Sequence, residues 1–282
     1  MVNPWLGMCL VVSIFGVLMV GLSAYRRSRS KDPELVRKLL HIGMGLVTLT
    51  FPWLFATTWP VLLLTVVFTL FLTSLRLSRP LQQLLGGVID GVARQSMGEI
   101  YFPLAVGLVF LLSAGDPITF CIPMLILALA DSGAALIGKR YGTLRYAAGD
   151  GEKSVEGSAA FLIVAFLSTQ VPLLLFTNTG RSESMVIAIT LALLVMLLEA
   201  IAWRGLDNLF IPLGAFLLLK TLLKLDATTL AAHLGIAVVL VILSVLFRPR
   251  RAVARLERPR SHRVFPGKRT SITSEVLGDD IV

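Results

Sequence analysis

Trp5-Leu6-Gly7-Met8-Cys9-Leu10-Val11-Val12-Ser13-Ile14-Phe15-Gly16-Val17-Leu18-Met19-Val20-Gly21-Leu22-Ser23-Ala24 carries no charge, and Tyr25-Arg26-Arg27-Ser28-Arg29-Ser30-Lys31 follows it directly. A helix of about 20 residues reaches about 30 Å, the thickness of a bilayer's hydrocarbon core. Ser23 and Ala24 are small enough for a signal-peptide cleavage site. However, Met1 to Pro4 has no positive charge and the basic run comes after the apolar one. That order predicts an uncleaved anchor whose carboxy-terminal end faces inside.

Working outward, further uncharged runs cover Thr48 to Leu75, Ile100 to Gly115, Pro117 to Ala130, Val186 to Leu198 and Ala227 to Phe247. The chain is 56% hydrophobic and 15% charged, with a mean hydropathy of +0.83. A soluble domain carries about 25% charged residues, and a soluble fold would have to hide several all-round apolar helices in one core. The prediction is an all-α, polytopic transmembrane bundle of seven to nine membrane helices. Their provisional spans are 3–24, 35–53, 57–75, 98–114, 117–138, 155–177, 184–203, 208–222 and 227–247. The span 208–222 is short and interrupted by Pro212, so a re-entrant segment is the other reading there.

An external amino terminus places 23 of the 26 Lys and Arg on the inside, leaving only Arg181, Lys220 and Lys224 outside. Positive charge marks the cytoplasmic side, so the expected location is a bacterial inner (cell) membrane, with the carboxy terminus in the cytoplasm. This spread of charge over many inside loops accounts for the net +9 without a nucleic-acid partner. Residues 1–247 read as one integral membrane domain. Residues 248–282 form a tail, basic then acidic, expected to be disordered and to lie against anionic lipid headgroups. Cys9 and Cys121 sit alone in apolar runs, as small buried hydrophobes do.

Four polar clusters fall on the inside face. Glu34, Arg37, Lys38 and His41 stand at i, i+3, i+4 and i+7, so a helix beginning near Pro33 stacks them in one stripe. Snorkelling flanks explain the two cations but not a histidine one turn deeper. Glu99 lies at the start of the apolar helix that Gly98-Glu99-Ile100-Tyr101-Phe102-Pro103 opens, where it complements the macrodipole. Asp131 interrupts an apolar helix; an intramembrane carboxylate costs roughly 2.5–3.5 kcal/mol on insertion scales and so has a partner or a task. After it come Lys139 and Arg140, a Gly-rich loop, and Lys153-Ser154-Val155-Glu156-Gly157 at the start of the next helix. Free helix N–H groups, Gly and Lys are the parts of a phosphate cradle, although no Walker A loop is present. Last come Glu199, near the inner end of its helix, and Asp207-Asn208, hard oxygen ligands of the kind Mg²⁺ accepts.

The inventory is carboxylates, cations, one histidine and Gly-rich approaches at a water–lipid boundary. It lacks a serine-nucleophile signature and a histidine pair for zinc. Phosphoryl transfer needs such a set: cationic clamps, metal-neutralised phosphates and a carboxylate for the attacking hydroxyl. A water-soluble donor would enter from the cytoplasm and meet a lipid acceptor in the bilayer.

Glu34-x-x-Arg37-Lys38-x-x-His41, Asp131-Ser132-x-Ala134-x-Leu136-Ile137-Gly138-Lys139-Arg140-Tyr141-Gly142, Lys153-Ser154-x-Glu156-Gly157-Ser158 and Gly205-x-Asp207-Asn208 together resemble the polyprenol kinase family. That family includes phytol kinase, dolichol kinase and the CTP-dependent diacylglycerol kinase. The resemblance runs from about 34 to 214, and the Gly98–Pro103 stretch looks closest to the phytol-kinase branch. It implies phosphorylation of an isoprenoid or other lipid alcohol, with CTP as co-substrate and Mg²⁺ or another divalent cation. By matching position, Asp131, Lys153 and Asp207 are the implied catalytic residues. Lys139, Arg140, Lys153, Ser154, Glu156, Gly157, Arg37 and Lys38 are implied to bind the nucleotide and its phosphates. Asp131, Glu156, Asp207 and Asn208 are the implied metal ligands, with Glu34, His41, Glu99 and Glu199 as further site candidates. Which of Asp131 and Asp207 orients the hydroxyl, and which binds the metal, stays open. A CTP:phosphatidate cytidylyltransferase is the nearest alternative, but its Lys-Arg-x-x-x-x-Lys-Asp run is missing. A proton-coupled transporter would place carboxylates at mid-membrane and open to both faces.

Overall fold

The computed structural model describes residues 3–29, 32–77, 97–148 and 151–247. The expected tail from 248 and most of the loop after 77 lie outside the described residues. The expected all-α bundle is what forms. Its helices are α1 (Pro4–Arg29), α2 (Pro33–Thr48), a single turn α3 (Phe51–Leu54), α4 (Trp59–Leu77) and α5 (Gly98–Ser113). Next come α6 (Pro117–Leu125), a π-turn (Ile126–Ala130) and α7 (Asp131–Tyr141), which run on as one rod. Then follow α8 (Val155–Phe176), α9 (Arg181–Ile201), α10 (Asp207–Leu222) and α11 (Ala227–Leu246). Among the described residues six of these rods are long and apolar enough to cross a membrane. Helices α2, α5 and α10, of 16 residues each, are shorter.

Helix starts follow local chemistry. Asp32, Asp116 and Asp226 each accept hydrogen bonds from backbone N–H groups at the starts of α2, α6 and α11, and Pro33 and Pro117 occupy first-turn positions where no donor is lost. At the other end of α5, Ala114 and Gly115 take positive φ (51° and 87°) and reverse the chain. The α9–α10 turn does the same with Arg204 and Gly205 (53° and 86°).

Two elements depart from the sequence reading. The expected span 35–53 breaks after Thr48 into α2 and the single turn α3. The loop after α7 contains a short antiparallel hairpin, β1 (Arg145–Ala148) with β2 (Gly151–Ser154), which pairs Tyr146 with Lys153. Lys153 therefore lies on a strand, and Ser154 is the cap that opens α8.

The α6–α7 rod is the centre of the bundle: about two thirds of its best apolar window is buried, against about a tenth for α11 and a fifth for α1 and α4. Ile122, Ile126 and Leu127 pack with Phe161, Leu191, Ile211 and Leu219 from α8, α9 and α10. Lipid is as apolar as these side chains, so close fit rather than expulsion from water holds such helices together. Small residues mark the contacts. A Cβ on Gly45 would stand 2.2 Å from that of Ala128, and one on Gly107 2.4 Å from the Thr65 hydroxyl.

Candidate active site

The stripe on α2 faces the start of α7. Lys38 Nζ lies 2.5 Å from Asp131 Oδ2, with both side chains almost fully enclosed (6% and 7% exposed). The π-turn sets up this meeting. Asp131 N–H bonds to the carbonyl of Ile126, five residues back, instead of that of Leu127. The Leu127 carbonyl accepts from His41 Nε2–H at 3.2 Å, and the same nitrogen is 3.9 Å from Asp131 Oδ2. Such single π-turns recur at functional positions because they turn side chains and carbonyls off the α-helical register. On the outer side of the stripe, Arg37 binds Glu34 at 2.7 Å and reaches Glu99 on α5 at 3.8 Å.

A second buried pair comes from the hairpin. Lys153 Nζ meets Glu199 Oε1 at 2.5 Å and also donates to the Glu199 carbonyl. Glu199 Oε2 is enclosed and has no hydrogen-bond partner among the described residues. Asp207 begins α10 within the electrostatic field of Asp131, Lys38 and Lys153, and Glu199 feels both aspartates. Among the described residues Asp207 makes no ion pair; its Oδ1 accepts from the N–H of Asn208. The Asn208 amide donates to the Gly98 carbonyl at 2.8 Å, and Met97 N–H to the Arg204 carbonyl at 3.1 Å, so the starts of α5 and α10 are tied together.

The remaining residues of the expected phosphate cradle have protein partners of their own. Glu156 Oε1 accepts from the Thr143 N–H at 2.8 Å, the Leu144 N–H at 3.2 Å and the Thr143 hydroxyl, which pins the loop after α7. The Ser154 hydroxyl accepts from Gly157 N–H at 3.0 Å. A Cβ on Gly157 would meet the Ala134 carbonyl at 2.9 Å, so this glycine lets α7 and α8 touch. Lys139 pairs with Asp32 at the surface, and Arg140 lies over the Tyr141 ring. None of these contacts joins Glu156, Ser154, Gly157, Lys139 or Arg140 to the inner cluster of Lys38, His41, Asp131, Lys153, Glu199 and Asp207. In sequence a carboxylate that pins a loop and one that binds a ligand are the same residue type. The Lys153–Glu199 pair had a signal, two charges at the ends of neighbouring apolar helices, but pairing across 46 positions needs the fold.

Among the described residues no group of three or more His, Cys, Asp and Glu is gathered as a ready-made metal site. Mg²⁺ bound through one or two carboxylates plus substrate phosphates needs no such cage. The inner cluster offers three carboxylates against two ammonium groups, and among the described residues Glu199 Oε2 has no hydrogen-bond partner and Asp207 no ion pair. That surplus of oxygen and negative charge fits a divalent cation.

Beside the cluster a groove of about 840 Å³, mouth included, runs between α1, α2, α4 and α5. Val11, Phe15, Leu40, Met44, Leu64 and Phe68 are among its apolar walls, and Arg37, His41, Glu99 and Asn208 are at one end. The apolar groove and the ionic cluster therefore share His41.

No family model matches the chain, and no solved structure does. A curated protein does: phytol kinase of Synechocystis sp. is 32% identical over 216 residues, covering 76% of this chain and 90% of that protein. With this extent of identity, the chain belongs to the polyprenol and phytol kinase family.

Proposed function

We propose that this membrane kinase phosphorylates an isoprenoid alcohol such as phytol, with CTP as donor. The observation that carries the reading is the junction at His41, where an apolar groove with one polar end opens onto buried acids and ammonium groups. A lipid alcohol laid in the groove brings its hydroxyl to that end. The relative's printed name supplies phytol as the acceptor, and the motif resemblance supplies CTP.

In this reading the acceptor oxygen bonds to the γ-phosphorus as the bond to the β,γ-bridging oxygen breaks, and the nucleoside diphosphate leaves. Asp131 or Asp207 takes the hydroxyl proton. Lys153, held by Glu199, and Lys38, held by Asp131, sit where negative charge gathers on the transferred group. Asp207 with Asp131 or Glu199 would hold Mg²⁺, which when bound neutralises the donor phosphates. His41, its Nε2–H turned to Leu127, and Arg37 position the head of the acceptor. The positive-inside distribution supports a cytoplasmic position for this end of the bundle, on the side from which a nucleotide would enter.

Membranes from cells overproducing the chain, given Mg²⁺, γ-labelled CTP or ATP and a panel of lipid alcohols, test it. A labelled lipid monophosphate that disappears in Asp131→Asn is the expected result, and the panel identifies donor and acceptor. A CDP-lipid with release of pyrophosphate would instead indicate cytidylyl transfer.

A further inference from the structure

We infer that Phe51, backed by Val61, is the end stop that fixes how long a hydrocarbon chain the acceptor can carry. The inference rests on the kinase reading above and extends it to specificity. The groove is polar at one end only. Its two hydroxyls beyond that end are already committed: Thr48 donates to the Gly45 carbonyl at 2.7 Å and Thr65 to the Pro103 carbonyl at 3.3 Å. A ligand with a second polar region, such as the two esters of a diacylglycerol, would find no free partner there. A ligand with one hydroxyl and one hydrocarbon chain leaves nothing unsatisfied.

The length follows from the walls. Arg37 to Thr48 on α2, and Leu72 to Val61 on α4, each span about 16 Å at the helical rise, and Phe51 lies a few ångströms further on. At ~1.25 Å of advance per carbon, from bonds of ~1.5 Å, roughly 13 to 16 main-chain carbons fit. Phytol and other four-unit isoprenoids have main chains of that length; long polyprenols exceed it.

At the far end the lining residue Phe51 belongs to a block of packed aromatic rings. Phe51 stands edge-on to Phe55 (5.4 Å, 82°) and Phe110 (6.5 Å, 77°), and Phe110 edge-on to Phe120 (5.2 Å, 86°). Val61 is fully buried beside them. Truncating Phe51 leaves that block standing and lengthens the groove, and enlarging Val61 shortens it.

The test uses full-length protein in native membranes and a series of all-trans isoprenoid alcohols of two to six units, with phytol and diacylglycerol, each read as kcat/KM for lipid monophosphate. The wild type is expected to peak at four units and to disfavour diacylglycerol. Phe51→Ala should raise the five-to-four-unit ratio by about tenfold or more, and Val61→Phe should move the optimum to three units, the discrimination a pocket achieves for a few carbons. A wild-type profile flat from three to six units, a preference for diacylglycerol, or a folded Phe51→Ala with the wild-type profile would each overturn the inference while leaving the kinase reading intact. If neither variant folds, Phe51→Leu, which keeps most of the side-chain volume, should shift the profile in the same direction as Phe51→Ala by a smaller factor, and an unshifted profile would overturn the inference. Absence of any phosphorylated lipid from the wild type would remove the kinase reading, and the inference with it.

Discussion

Lys38–Asp131 and Lys139–Asp32 are both lysine–aspartate pairs that join the start of the α2 region to α7. In the first, the side chains are 6% and 7% exposed; in the second, 54% and 43%. Asp131 is the first residue of α7 and Lys139 lies in its last turn, roughly 12 Å along the same rod. The deep pair has displaced water from two charges, a cost that its own attraction barely offsets. The outer pair gives up little hydration and is worth little. A deep pair inside an apolar bundle is therefore poor evidence for stability and good evidence for a task, and the surface pair can be expected to lack one.

The sharpest way to break that contrast is to replace the deep pair by apolar residues of similar size. Lys38→Met with Asp131→Leu should leave thermal unfolding in detergent unchanged or raised, because removing both charges removes their desolvation cost. Turnover should fall by about 10²–10⁴-fold, the share of rate that a proton acceptor and a charge clamp supply. Lys38→Met alone strands the Asp131 carboxylate and should cost about 3–5 kcal/mol. A double variant that unfolds as readily as the single one would show that the pair holds the bundle together.

Lys153 belongs with the deep pair by its burial and by its double hold on Glu199. Lys153→Met should lower kcat by about 10²–10³-fold with a smaller change in KM for the acceptor. Glu199→Gln should retain part of the activity, since the carbonyl still binds the ammonium. Equal losses in kcat and in acceptor binding would place Lys153 in the groove instead.

Gly45→Ala acts on the deep pair without touching its charges. The new methyl would sit 2.2 Å from Ala128 Cβ, so α2 must move off the central rod. Overpacking of this kind costs about 1–3 kcal/mol. A displacement near 1 Å at Lys38 and His41 should lower activity by about 10- to 100-fold. Unchanged activity would mean that α2 does not set the geometry of the site.

These differences also show what the sequence could and could not reveal. The spans were legible because a transmembrane helix needs an unbroken apolar run and a charged or turn-forming end: each expected span has a helix, and 208–222 is one continuous helix in spite of Pro212, although 35–53 breaks after Thr48 and only six rods among the described residues are long and apolar enough to cross a membrane. Asp131 and the α2 stripe stood out because charge in such surroundings is costly. Partners were not legible, since Lys38 and Asp131 lie 93 positions apart. Nor was the hold of Glu156 on the loop after α7, which depends on a hairpin turn invisible to hydrophobic periodicity. The groove was hidden for a different reason: Met44, Leu64 and Phe68 read the same whether they face lipid, a neighbouring helix or a bound chain.

The smallest expected effect belongs to the outer pair. Lys139→Ala removes a partner that the exposed Asp32 can replace with water, so the loss should lie within about 0.2–1 kcal/mol and turnover should change less than twofold. The pH dependence has a definite sign. The hydrogen bond from Lys139 is the largest influence on Asp32 and holds its carboxyl below the ordinary value. The pair's small contribution is therefore fully present above the unfolded-state pKa near 3.9 and disappears as pH falls through the lower folded value. Wild type and Lys139→Ala should differ slightly in thermal midpoint at neutral pH and converge as the pH falls through the folded value. Asp32 also caps α2 through the Glu34 N–H, so Asp32→Ala should cost more than Lys139→Ala, by about the 0.5–2 kcal/mol of an N-cap. A large drop in turnover from Lys139→Ala, with α2 still capped, would reverse the comparison and put the surface lysine in the path of the incoming nucleotide.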